Sequence, residues 1–97
     1  MMKTKTDIVR KLKAVKPELQ ETYHIRKIGI FGSYSRGDYR EDSDIDILVE
    51  LGAPLGFGFV RLAQRLEEIL GKKIDLVSKD AIKPRLWKYI EQDVVYV

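Results

Sequence analysis

The chain of 97 residues contains no cysteine and a single histidine, His24. Disulfide frameworks and thiolate metal sites are therefore excluded, and so is a catalytic zinc site built on two or three histidines. Asparagine is absent and glutamine occurs only three times, while 34% of the residues are charged. This balance is typical of proteins from thermophiles.

Long apolar runs are also missing, and none approaches the ~20 residues that cross a membrane. The N-terminal segment is basic but has no apolar stretch like that of a signal peptide, so we expect a cytoplasmic protein. A net charge of +3 is mild and does not indicate direct nucleic-acid binding. The length and the 44% apolar content predict one globular domain, residues 1–97.

Hydrophobic periodicity predicts helices that alternate with strands. One helical stripe covers residues 4–23, where Pro17 predicts two short pieces or one kinked helix. A second amphipathic helix is predicted over residues 59–70, ended by Gly71. The other predicted elements are strands over 26–31, 44–51, 73–77 and 94–97, and short helices after Gly32 and over 84–90. This order predicts an α/β (α+β) domain.

Aspartates on two predicted strands form the first candidate site. Asp44 and Asp46 are two residues apart, so their side chains share one face of a strand. Asp75 lies in the middle of another apolar strand, and if the two strands are adjacent, three carboxylates converge on one point. Such hard oxygen ligands suit Mg²⁺ or Mn²⁺, and carboxylates around two divalent ions are what nucleotidyl transfer requires.

A glycine–serine turn is the second candidate feature. Gly32 and Ser33 follow the first strand, where a glycine allows the backbone to approach a phosphate closely and a serine offers a hydroxyl. Arg36 follows in the same segment and either contacts phosphate or braces the loop through an ion pair.

Three other nucleotide or metal motifs fail at one or two required positions. An EF-hand beginning at Asp42 would need glycine and glutamate where Ile47 and Ala53 stand. The glycine spacing of a P-loop is present, but Asp38 replaces its lysine. A dinucleotide fingerprint fails because Arg61 replaces its third glycine.

The spacing between the glycine–serine turn and the aspartates is more specific than either feature alone. Residues 32–37 read GSYSRG and residues 43–49 read SDIDILV, with ten residues between Ser33 and Asp44. This pattern resembles the minimal nucleotidyltransferases of the DNA polymerase β-like superfamily, over nearly the whole chain. The fold that the resemblance implies is a small mixed β-sheet with helices packed largely on one face.

The resemblance also implies roles for individual residues. Ser33, with Gly32 and Arg36, would bind the phosphates of ATP, and Asp44 and Asp46 would hold two Mg²⁺ or Mn²⁺ ions. Asp75 would complete the catalytic and metal site as the third acid.

A protein partner is implied as well. Minimal nucleotidyltransferases are often paired with a HEPN ribonuclease toxin and act as its antitoxin, and some transfer AMP from ATP to a tyrosine of that partner. The resemblance therefore predicts a metal-dependent protein adenylyltransferase. The alternative is a non-catalytic antitoxin or nucleotide-binding module that inhibits its partner by direct contact.

Two further segments have simpler interpretations. The basic residues between positions 3 and 16 are expected to form a solvated helix face, with docking onto an acidic partner or RNA as the alternative. Trp87 and Tyr89 are expected to be core or partner-interface residues rather than a base-stacking platform.

Overall fold

A computed structural model describes residues 4–97; Lys3, counted above among the basic residues, lies outside this range. Helices and strands alternate as the sequence predicts. They are α1 (Lys5–Tyr23), β1 (Ile25–Phe31), α2 (Gly32–Arg36), β2 (Ile45–Leu51), α3 (Gly58–Leu70), β3 (Ile74–Ser78), α4 (Pro84–Ile90) and β4 (Val95–Tyr96), with a 3₁₀ turn at Lys79–Ala81.

Helix α1 is one continuous helix, so the two-piece interpretation is wrong. Thr4 begins it with a capping box, in which its hydroxyl accepts from the Asp7 N–H and the Asp7 carboxylate accepts from the Thr4 N–H. Pro17 removes one helical donor, but Leu12 and Leu19 on either side of it are fully buried on the same stripe. Tertiary packing therefore keeps both halves of the helix together.

The sheet has four strands in the order β3-β2-β1-β4. β1 pairs antiparallel with β2 and β4, whereas β2 and β3 run parallel. The helical crossover α3 joins β2 and β3, and Gly71 ends it in the left-handed conformation that the sequence predicts. The predicted mixed sheet is confirmed.

The core lies between one face of the sheet and the helices α1 and α3. Ile45, Ile47 and Val49 of β2 point toward this face, and the buried leucines of both helices pack in the same cluster. Burying each such side chain contributes about 1.5–3 kcal/mol, so this layer supplies most of the apolar stabilisation. The intervening residues of β2 point to the opposite face, which carries Asp46.

The C-terminal segment covers part of that second face. Tyr96 of β4 lies opposite Gly29 of β1, donates a hydrogen bond to Glu50 Oε2 at 2.8 Å and stands 5.3 Å from Lys27 Nζ. Leu48 is fully buried on this face as well. Within residues 4–97, no helix is long and apolar enough to cross a membrane.

Candidate active site

The parallel pairing of β2 and β3 places two of the candidate aspartates side by side. Asp46 and Asp75 are register partners, so their side chains leave the sheet on the same face. Asp46 is half-buried and Asp75 is exposed. Asp44 precedes the first residue of β2 and is also exposed, so the sheet does not fix its side chain on that face.

Two of the three expected carboxylates, Asp46 and Asp75, therefore lie side by side, whereas Asp44 lies outside the strand. Within residues 4–97, no three side chains of aspartate, glutamate, histidine or cysteine form a group that could hold one metal ion. Asp46 and Asp75 provide a pair of hard oxygen donors. Such a pair fits Mg²⁺, which is usually bound by one or two carboxylates together with substrate phosphates rather than by an all-protein cage.

The charges of the other two aspartates nevertheless act on Asp46. Its pKa is raised from 3.8 to about 6, first by burial and then by the negative charges of Asp75 and Asp44, while the positive charge of Arg36 opposes the rise. The site thus concentrates negative charge, which a divalent cation would offset.

The glycine–serine turn lies directly against this carboxylate. Gly32 has a φ of +69°, and a Cβ atom at this position would overlap Asp46 Oδ2. Glycine is therefore required both by the left-handed backbone and by the close approach of the carboxylate. Gly32, Ser33 and Asp46 together border one cavity of about 390 Å³.

Arg36 is engaged by two carboxylates of its own chain. Its guanidinium forms ion pairs with Asp38 at 3.1 Å and with Asp93 at 2.9 Å, and these hydrogen bonds, Asp38 first, raise its pKa above the usual value. The Ser35 hydroxyl also donates to the Asp93 carbonyl. This geometry matches the loop-bracing alternative for Arg36, although the residue also borders the cavity.

The loop that carries Asp44 is fixed from both sides. The ring of Tyr39 stacks on the buried ring of Tyr34, with 4.2 Å between ring centroids. Lys72 Nζ donates to the Glu41 carbonyl at 2.6 Å and lies 5.5 Å from the Tyr34 ring. Arg40 N–H donates to Ser43 Oγ, so the approach to β2 is ordered by local bonds.

The sequence did not identify the C-terminal residues that border the cavity. Tyr89, Ile90 and Asp93 border the same cavity as Asp46. They come from the C-terminal segment, and no local motif marks them, because long-range contacts bring this segment to the site: the pairing of β4 with β1 and the bonds of Asp93 to α2. A larger, mainly apolar groove of about 500 Å³ lies between α1 and Val95 and borders none of the candidate aspartates.

Comparison with known proteins identifies the family of this chain. The family model of the nucleotidyltransferase domain matches residues 12–97. Protein adenylyltransferase MntA of Thermococcus cleftensis is 44% identical over 97 residues, which is 99% of this chain and 98% of the relative.

Solved structures give the same result. A candidate minimal nucleotidyltransferase superimposes with a TM-score of 0.79 at 30% identity, over 96% of this chain and 95% of that one. A complex of an MNT antitoxin with the tri-AMPylated HEPN toxin of Shewanella oneidensis matches with a TM-score of 0.59 at 26% identity, over 95% of this chain and 66% of the matched one. The chain therefore belongs to the nucleotidyltransferase domain family and is a nucleotidyltransferase.

Proposed function

We propose that this enzyme transfers AMP from ATP to a hydroxyl side chain of a HEPN-type ribonuclease toxin and thereby acts as its antitoxin. The observation that carries the proposal is the Asp46–Asp75 pair, register partners on one sheet face, with the Gly32–Ser33 turn against Asp46. One cavity joins the turn to Asp46, so phosphate-binding and acidic groups share a single space.

The reaction needs one bond to form and one to break. The acceptor oxygen bonds to the α-phosphorus of ATP, the bond from that phosphorus to the bridging oxygen breaks, and pyrophosphate leaves. Ser33 and the backbone at Gly32 would hold the phosphates. The exposed Asp75 carboxylate is the candidate acceptor for the proton that leaves the acceptor hydroxyl.

Asp44, Asp46 and Asp75 are the residues that would hold two Mg²⁺ or Mn²⁺ ions. Bound ions would offset the charge that grows on the transferred phosphate and on the leaving pyrophosphate. Asp46 has a pKa of about 6 and is mainly ionised above pH 7, so its carboxylate is available as a ligand at neutral pH.

Relatives support the choice of acceptor. The MntA relative is named a protein adenylyltransferase, and the MNT antitoxin is bound to a Shewanella HEPN toxin that carries AMP groups. We propose that residues 1–97 act as one catalytic domain in the cytoplasm and that the toxin supplies the surface around the acceptor hydroxyl.

The discriminating experiment separates transfer from binding. The double variant Asp44→Asn, Asp46→Asn removes two charges with little change in side-chain volume. Because the phosphate charge is then no longer offset, transfer should fall by orders of magnitude, whereas the toxin should still co-purify with the variant. The double variant should therefore fail to protect cells that express the toxin.

A matched control removes the same number of negative charges at positions away from the cavity. The variant Asp42→Asn, Asp80→Asn replaces two exposed aspartates that do not border the cavity, and it should still protect the cells. If the Asp44, Asp46 variant protects as well as the parent chain, catalysis is not the mechanism. The direct-contact alternative would then account for the antitoxin role.

A further inference from the structure

The cavity at the candidate active site has two chemically different walls. Gly32, Ser33 and Asp46 form a polar wall, and Tyr89 and Ile90 of α4 border the same cavity as a second wall. Tyr89 is 74% exposed, so of the two roles that the sequence suggests, core or partner interface, the core role is wrong. An aromatic ring left this accessible beside a cavity is available to a ligand.

The two walls match the two ends of a nucleotide. The polar wall suits phosphates and cations, whereas an aromatic ring next to an aliphatic side chain suits a flat, partly apolar group. Aromatic side chains stack on nucleobases, and the tyrosine hydroxyl can stay in water while the ring makes the contact. The volume of about 390 Å³ lies within the range of small-molecule sites.

Helix α4 is held to the rest of the fold by contacts before and after Tyr89, and those after it reach helix α2, which carries the turn. After the helix, Asp93 pairs with Arg36 at 2.9 Å and accepts a hydrogen bond from Ser35 through its carbonyl. Before Tyr89, the ring of Trp87 lies 4.8 Å from Lys79 Nζ. The position of Tyr89 relative to the turn is therefore set before any ligand binds, which reduces the ordering cost of binding.

We propose that Tyr89 stacks on the base of the bound nucleotide and forms the nucleoside half of the site. This inference rests on the proposed function, because it assumes that the phosphates lie at Gly32 and Ser33. Stacking depends on the ring and not on the hydroxyl, and it acts only on ligands that carry a base.

The test compares two ligands and three variants by calorimetry with Mg²⁺, without any acceptor protein. Tyr89→Ala should weaken ATP binding by roughly 5- to 100-fold, and Tyr89→Phe should bind ATP like the parent chain. Leu86→Ala is the matched control, since Leu86 is a half-exposed apolar residue of α4 that does not border the cavity, and it should have no effect. Inorganic triphosphate, which has no base, should bind all variants equally.

The outcomes separate the two proposals. If the parent chain binds ATP and Tyr89→Ala binds it equally well, stacking is refuted and the proposed function stands. A Tyr89→Phe variant as weak as Tyr89→Ala also refutes stacking, because the hydroxyl then makes the contact. If the parent chain binds neither ATP nor triphosphate, the proposed function fails, and stacking fails with it. Tyr89 is exposed, so thermal melts should show all variants folded.

Discussion

Replacing Asp46 with asparagine should stabilise the ligand-free protein while abolishing transfer. The rise in the pKa of Asp46 from 3.8 to about 6 lowers the free energy of unfolding by roughly 3 kcal/mol if the whole shift applies. Asp46 is only half-buried, and solvent screens its charge, so we expect about 1 kcal/mol at pH 7.5. For a domain of this size, that is a rise in Tm of about 4–8 °C.

The gain should depend on pH in a defined direction. Well below pH 3.8 the Asp46 carboxyl is protonated in both the folded and the unfolded chain, so neither burial of its charge nor charge repulsion costs stability. Between pH 4 and 6 the unfolded chain releases the proton and the folded chain retains it, so the stability of the parent protein falls as pH rises. The advantage of Asp46→Asn should therefore appear across this window and stay constant above it.

Urea denaturation in EDTA at pH 4, 5, 6 and 7.5 measures this difference. Asp42→Asn is the control, because it makes the same change at an exposed loop position and should alter stability by less than about 0.5 kcal/mol. Saturating Mg²⁺ and ATP should stabilise the parent chain by about 2.7 kcal/mol at 100 times Kd and leave Asp46→Asn nearly unchanged. An Asp46→Asn variant no more stable than the parent at pH 7.5 would refute the claim that burial and charge repulsion at Asp46 destabilise the ligand-free protein.

Three other substitutions test the geometry around the cavity. Gly32→Ala should cost about 1–2 kcal/mol of stability and most of the transfer activity, because the methyl group displaces the Asp46 carboxylate and strains a left-handed backbone; unchanged activity would contradict this contact. The Tyr34 hydroxyl is buried without a hydrogen-bond partner among residues 4–97, so Tyr34→Phe should raise stability by about 1 kcal/mol in denaturation, and a loss would argue against this environment. Asp93→Ala should cost at most about 1 kcal/mol at low salt and less in 1 M NaCl; a cost independent of salt would exclude the ion pair with Arg36 as its source.

Local patterns predicted the elements and the two strands that carry the acids. The alternation of apolar residues around Asp46 and Asp75 identified both strands, and the expectation that the two acids share a face followed from that alternation. The ends of the predicted elements differ from the observed ones by a residue or two; Asp44, for example, precedes β2 instead of lying within it.

Long-range contacts were not predictable in the same way. Pro17 has a strong local preference to interrupt a helix, but burial of Leu12 and Leu19 outweighs it. The hydrogen bond from Ser35 to Asp93 and the ion pair of Arg36 with Asp93 each join positions more than fifty residues apart. These contacts depend on the position of β4, which pairs with β1 through only two residues. No sequence motif predicts this pairing.

Transfer of label from ATP to the toxin is the most direct measurement of the proposed adenylyltransferase activity. The purified chain is incubated with Mg²⁺, a HEPN ribonuclease from the same genome, and ATP labelled at either the α- or the γ-phosphate. We predict that α-label appears covalently on the ribonuclease, that γ-label does not, and that the Asp44→Asn, Asp46→Asn variant transfers neither. Absence of α-label from the ribonuclease, transfer of γ-label, or undiminished labelling by the variant would contradict the account.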